Sequence, residues 1–318
     1  MRGKSAVIAL VAALLLTGAG TAVATRPPAT ITGRAASLHP EGVAWDPTRQ
    51  ALLVGSSRHG TVSVVRPDGR VSTLVSDPRL ISTFGLRVDA ARNRLLVTFA
   101  DIGIGERSGP DTTYRQSGVG IYDLRTGAPL HLVDLAIGEG RHGANDLSLD
   151  RAGNAYVTDP ASDALYRVDP AGRASVLVRD PRLASPTIGA NGIAWHPDGY
   201  LLVVRYGDGA LLRVSPTGRI DEVRLDRPLV GGDGIALRPD GTLVVVTNGL
   251  GGSGENAVTL LRPNGSWRSA TVLRRVAPWR TTAPTTVAVT PRGSYVVSGD
   301  LDELLAGTTT DSFTLDGF

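Results

Sequence analysis

The stretch NGIAWHPDGYLLVVR, residues 191–205, reads as a β-hairpin: an apolar strand, a tight turn at Pro197-Asp198-Gly199, and an aliphatic second strand. Proline presets φ for the turn, Asp bonds its own backbone, and Gly accepts a positive φ. The pattern recurs as EGVAWDPTRQALLVGS (41–56), FGLRVDAARNRLLVTF (84–99), NDLSLDRAGNAYVTD (145–159), DGIALRPDGTLVVVT (233–247) and TTVAVTPRGSYVVSG (285–299). The third residues, Val43, Leu86, Leu147, Ile193, Ile235 and Val287, lie about 40 to 60 residues apart, the period of a radial repeat.

Between these hairpins there is room for a second one, with turns at Pro67-Asp68-Gly69, Arg125-Thr126-Gly127, Pro170-Ala171-Gly172, Pro216-Thr217-Gly218 and Pro263-Asn264-Gly265. Two hairpins make a four-stranded blade, so the expected fold is all-β, a six-bladed β-propeller. The last repeat runs out of chain: residues 304–318 supply a third strand and residues 29–38 are the expected donor of the fourth. That pairing of N- and C-terminal segments would close the ring and remove open sheet edges.

The innermost strand of each blade lines a central tunnel, so equivalent residues at its entrance converge on one axis. Here they are Glu41, Phe84, Asn145, Asn191, Asp233 and Thr285. Two carboxylates in a poorly solvated channel repel unless a cation lies between them, and carboxamide oxygens add donors without charge. Glu41, Asn145, Asn191 and Asp233 are therefore the expected ligands of one divalent metal. All-oxygen coordination suits Ca²⁺ first and Mg²⁺ or Mn²⁺ next, with Zn²⁺ a poorer fit. The competing reading is that the Asn-Gly, Asp-Gly and Glu-Gly pairs only shape turns.

Composition narrows the function classes. In 318 residues there are 39 glycines, 42% hydrophobic residues and no cysteine, which excludes disulfides, thiolate metal sites and a cysteine nucleophile. Arg2 and Lys4, the apolar run Ala6 to Leu16 and Ala22-Val23-Ala24 read as a signal peptide over residues 1–24, leaving one propeller domain over residues 25–318 that is secreted, without a membrane anchor. Without Arg2 and Lys4, 31 basic residues face 30 acidic ones, a net charge of +1 rather than +3, and the arginines are scattered. Nothing there suits nucleic acid, and the expected partner is a small-molecule substrate, with a monomer as the default state.

These segments resemble the gluconolactonase, regucalcin and luciferin-regenerating-enzyme family of six-bladed propellers. Pro40-Glu41-Gly42 with Trp45 is similar to its Glu-Gly-Pro-x-Trp, Asn145-Asp146 to its Asn-Asp-Gly, Asn191-Gly192-Ile193-Ala194 to its Asn-Gly-Leu-Ala, and Asp233-Gly234 to its Asp-Gly. The resemblance implies metal ligation by the same four residues and hydrolysis of a lactone or related ester, with the metal polarising the carbonyl and Asp233 as general base. Sugar-lactone members carry Arg two residues before the Asn of Asn-Asp-Gly. Gly143 stands there, which argues against a polyhydroxylated sugar lactone, and Leu147 replaces the following Gly. The same propeller hosts strictosidine-synthase-type lyases, isomerases and cyclases, and metal-stabilised binding proteins; both remain as alternatives.

Further pocket candidates are Phe84, His142, Asp159, Arg205 and Thr285. Arg205 could orient an anionic substrate group, but an ion pair between Asp159 and Arg205 is the expected arrangement, and His59 and His142 read as hydrogen-bonded loop residues. Trp45 and Trp195 are expected to pack between blades. The enlarged segment from Asp101 to Gly118 suits either a pocket roof or a solvated loop.

Overall fold

The computed structural model describes residues 29–318; the expected signal peptide lies outside the described residues. The chain forms four-stranded antiparallel sheets in sequence order, an architecture of the β-propeller type. The first contains Val43–Asp46, Ala51–Gly55, Thr61–Val65 and Val71–Ser76. Successive units run from Ser82–Asp89 to Pro129–Asp134, from Leu147–Leu149 to Ala174–Arg179, from Ala190–His196 to Ile220–Leu225, and from Gly232–Leu237 to Ser269–Val276. In the last, Pro284–Thr290, Gly293–Ser298 and Ser312–Gly317 are joined by Thr30–Arg34, in register from Thr30 opposite Asp316 to Arg34 opposite Ser312.

Two details depart from the sequence reading. Residues 304–318 are not one strand, because the short helix Leu301–Leu305 precedes the strand Ser312–Gly317. Strand Ile220–Leu225 also pairs in parallel with Ser269–Val276, through Arg224 with Ser269 and Leu225 with Ala270, merging two units into an eight-stranded sheet.

The first strand of each unit neighbours the first strand of the next, and Val43–Asp46 also neighbours Pro284–Thr290. The hydrophobic core lies between sheet faces: Leu53, Val62 and Val64 pack against Leu86, Leu95 and Val97 of the following sheet. Each such aliphatic side chain contributes about 1.5 to 3 kcal/mol on burial. Trp195 stacks on Tyr156 of the preceding sheet at 5.2 Å between ring centroids, and Trp45 packs against a cluster that includes Val297 and Leu315 of the last sheet. Among the described residues no helix is long and apolar enough to cross a membrane.

Candidate functional site

Four of the first hairpins break register at their entrance. In the Ala190–His196 strand the ladder slips between Ala190 and Ile193, around Asn191-Gly192. The same slip falls between Gly232 and Ile235, between Thr83 and Leu86, and between Pro284 and Val287. A bulge re-aims a side chain, and here it surrounds Asn191, Asp233, Phe84 and Thr285.

Glycine after the candidate ligand serves close approach rather than a turn. Gly42, Gly192 and Gly234 do not have positive φ. A Cβ on Gly42 would lie 1.8 Å from the Phe84 carbonyl oxygen, one on Gly192 2.2 Å from the Asp233 carbonyl oxygen, and one on Gly234 2.0 Å from Thr286 Oγ1. The turn reading of these pairs is therefore corrected: the missing side chain lets neighbouring inner strands meet. Threonine hydroxyls from the preceding sheet then tie three candidate ligands down by their backbone. Thr285 Oγ1 donates to the Glu41 carbonyl (2.7 Å), Thr158 Oγ1 to that of Asn191 (2.5 Å), and Thr98 Oγ1 to that of Asn145.

Glu41, Phe84, Asn145, Asn191 and Asp233 all line one cavity of about 650 Å³. Glu41, Asn191 and Asp233 are buried, and the Oδ1 atoms of Asn145 and Asn191 are buried without any hydrogen-bond partner. Leaving such an oxygen unpaired costs about 1 to 3 kcal/mol, so two of them beside two carboxylates call for a ligand that accepts oxygen donors. Among the described residues no cluster of three or more His, Cys, Asp or Glu side chains could hold a metal. A metal here has to use the asparagines, and the four-oxygen set fits a hard divalent cation.

Burial pushes the Asp233 carboxyl up to about 7, against a hydrogen bond from Asn248 that favours its ionised form; repulsion by Asp146 raises it further. Burial raises Glu41 too, with repulsion from Asp233 and Asp146 added and the Arg87 charge opposing. Asp146 is the third buried acid, raised by burial and opposed by Arg87, whose Nη2 lies 3.5 Å from its Oδ1. Three buried carboxyls, of which Arg87 acts on Glu41 and Asp146, favour a further positive charge.

The other sequence candidates lie elsewhere. Thr285 is not in the cavity lining and holds the Glu41 backbone instead. The expected pair between Asp159 and Arg205 does not form. Arg205 binds Asp208 three residues on, with Nε 2.8 Å from Oδ1, because the tight Arg205–Ala210 turn brings that carboxylate closer than any across the sheets. Asp159 instead accepts the backbone N–H groups of Gly143 (2.9 Å) and Ala161 (3.0 Å), and its Oδ2 lies 3.7 Å from His142 Nδ1. His142, Asp159 and Arg205 are all absent from the lining. His142 also meets the Gly138 carbonyl through Nε2, and His59 lies between Glu106 and the Ala36 carbonyl.

The enlarged segment is an ordered roof. Asp101 accepts hydrogen bonds from Ser108 Oγ (2.6 Å), Thr112 Oγ1 (2.7 Å) and the Gly103 N–H (2.7 Å), and Ile102, Ile104 and Tyr114 face the cavity. Sequence reasoning missed Asn248, which donates to Asp233 Oδ2 (2.6 Å) and to the Pro284 carbonyl (2.8 Å) while accepting from Tyr206 Oη (2.6 Å). It lies one residue beyond Thr247, the last residue of the repeated segment. Arg141, which also lines the cavity, belongs to no repeat position.

Solved structures of similar fold include the major allergen Mala s 1 of Malassezia sympodialis, at 19% identity and a TM-score of 0.72, covering 91% of this chain and 96% of that one. A gluconolactonase from Xanthomonas campestris matches at 18% identity and 0.62, covering 91% and 88%. A virginiamycin B lyase from Staphylococcus aureus matches at 12% and 0.56, covering 91% and 99%. At such identities the likeness is one of fold. No functionally curated protein matches the sequence. The family model described as the SMP-30/Gluconolactonase/LRE-like region matches residues 39–205, more than half of the chain, and the protein belongs to that family.

Proposed function

We propose that this protein is a divalent-metal-dependent hydrolase of a lactone or related ester, working at the cavity between Glu41, Asn145, Asn191 and Asp233. The observation that carries the reading is the pair of buried, unpartnered oxygens of Asn145 and Asn191, residues that line the same cavity as two buried carboxyls. A cation held there would supply Lewis-acid polarisation of the substrate carbonyl, with Ca²⁺ the best match to neutral and anionic oxygen donors. Asp233 takes a proton from water, a task open to a carboxylate within one hydrogen bond of it. Asn248 orients that carboxylate through its 2.6 Å hydrogen bond, and Phe84 presents an apolar wall beside it.

The reading goes with a secreted, monomeric, six-bladed ring in which strand Thr30–Arg34 completes the last blade. The pairing of that strand with Ser312–Gly317 supports the closure. The test is turnover of a panel of aliphatic and sugar lactones and aryl esters by the Ca²⁺-loaded protein, with Asp233→Asn and Glu41→Gln as controls. Opening of at least one substrate, lost in both variants, is expected. A wild-type protein that opens none, yet melts at higher temperature with a lactone present, would be a binding protein instead.

A further inference from the structure

We infer that the substrate is amphiphilic, with an apolar body under the roof and an anionic group received by Arg141. This deepens the hydrolase reading and rests on it for the site, though not for its test. Apolar side chains from several elements converge on the cavity: Ile102 and Ile104 from the roof segment, Leu301 and Leu305 from the short helix, Ile188 and Leu250 from the loops between. Leu305 is 53% exposed, an apolar side chain left in water at the cavity wall. Such a lining recognises hydrocarbon, with a few polar groups fixing orientation.

Apart from the candidate ligands and Arg141, several polar side chains of the wall are engaged within the protein. Asp163 pairs with Arg179 (2.5 Å), Tyr206 Oη donates to Asn248 and accepts the Gly251 N–H, and Ser162 Oγ accepts the Ala164 N–H. They leave little for a ring of sugar hydroxyls. At Gly143 a Cβ would meet nothing nearer than 3.5 Å, so a side chain fits there and is absent.

Arg141 is the contrasting group. Its guanidinium carbon lies 3.4 Å from the Tyr114 ring centroid, and among the described residues it has no carboxylate partner. Stacking engages the face of the guanidinium and leaves its N–H edges for a bidentate carboxylate. Arg141 is exposed, so changing it leaves the core intact.

The experiment compares octanoate with octanol as ligands of the Ca²⁺-loaded protein, by melting shift and by competition against whichever lactone it opens. Glucono-δ-lactone and δ-decalactone serve as paired substrates. Octanoate binding tighter than octanol, weakened about tenfold in Arg141→Gln while octanol is unchanged, is expected. Leu305→Asn should weaken both ligands, and δ-decalactone should be opened with the higher kcat/KM. If no lactone is opened but octanoate binds in this way, the hydrolase reading fails and the amphiphile site stands. The inference is overturned if glucono-δ-lactone is the better substrate and octanoate does not bind, or if Arg141→Gln leaves octanoate binding unchanged.

Discussion

Replacing Asp233 with asparagine should make the metal-free protein more stable at alkaline pH. The carboxyl is raised from 3.8 to about 7 by burial, so the folded state binds a proton that the unfolded chain has released. A raised folded pKa contributes stability that is fully present below the unfolded value and lost as pH rises through the folded one. Wild type in chelator should therefore lose stability between about pH 4 and pH 7, by about 4 kcal/mol at about 1.4 kcal/mol per pKa unit. Asp233→Asn keeps an oxygen for the 2.6 Å hydrogen bond from Asn248 and carries no charge to ionise. Urea denaturation at pH 5 and pH 8 in chelator is the assay, with the slope m checked for constancy. At pH 8 the variant should be the more stable protein, and excess Ca²⁺ should reverse the order by stabilising wild type alone. A variant less stable than wild type at pH 8 in chelator would show that Asp233 is not an uncompensated buried charge, and the reasoning would fail.

Gly192→Ala should displace the strand that carries Asp233, since its Cβ would fall 2.2 Å from a backbone oxygen; a loss of about 1 to 3 kcal/mol on thermal unfolding and weaker Ca²⁺ binding are expected. Asn248→Ala removes donors to Asp233 and the Pro284 carbonyl and should cost about 2 kcal/mol, with kcat falling more than KM changes if Asn248 only orients the base. The Asp159 carboxylate, 3.7 Å from Nδ1, raises His142 above its ordinary 6.5, so the stability it contributes is present at acid pH and lost as pH rises through that higher value. NMR titration should show the elevated value and its fall in Asp159→Asn.

Much of this was legible in the repeat. Tight turns such as Pro197-Asp198-Gly199 and the aliphatic run after each one belong to single hairpins, so local chemistry identifies them, and their alignment alone brings Glu41, Asn145, Asn191 and Asp233 to one position. What sequence could not supply was how one hairpin meets the next. Gly42 and Gly192 looked like turn residues because their role, close approach to a neighbouring strand, depends on a contact distant in sequence. Asp159 and Arg205 share a repeat position, yet the nearer Asp208 takes the arginine. Asn248 and Arg141 stand outside the repeated pattern, so only their positions in space bring them to the site.

A cation between four oxygen donors is tested most directly by calorimetric titration of Ca²⁺ into chelator-stripped protein, beside Asn145→Ala and Asn191→Ala. These variants remove the unpartnered carboxamide oxygens and change no charge. One ion bound per chain in wild type, with affinity reduced at least tenfold in each variant, is the predicted result. No binding in wild type, or undiminished binding in both variants, would contradict it.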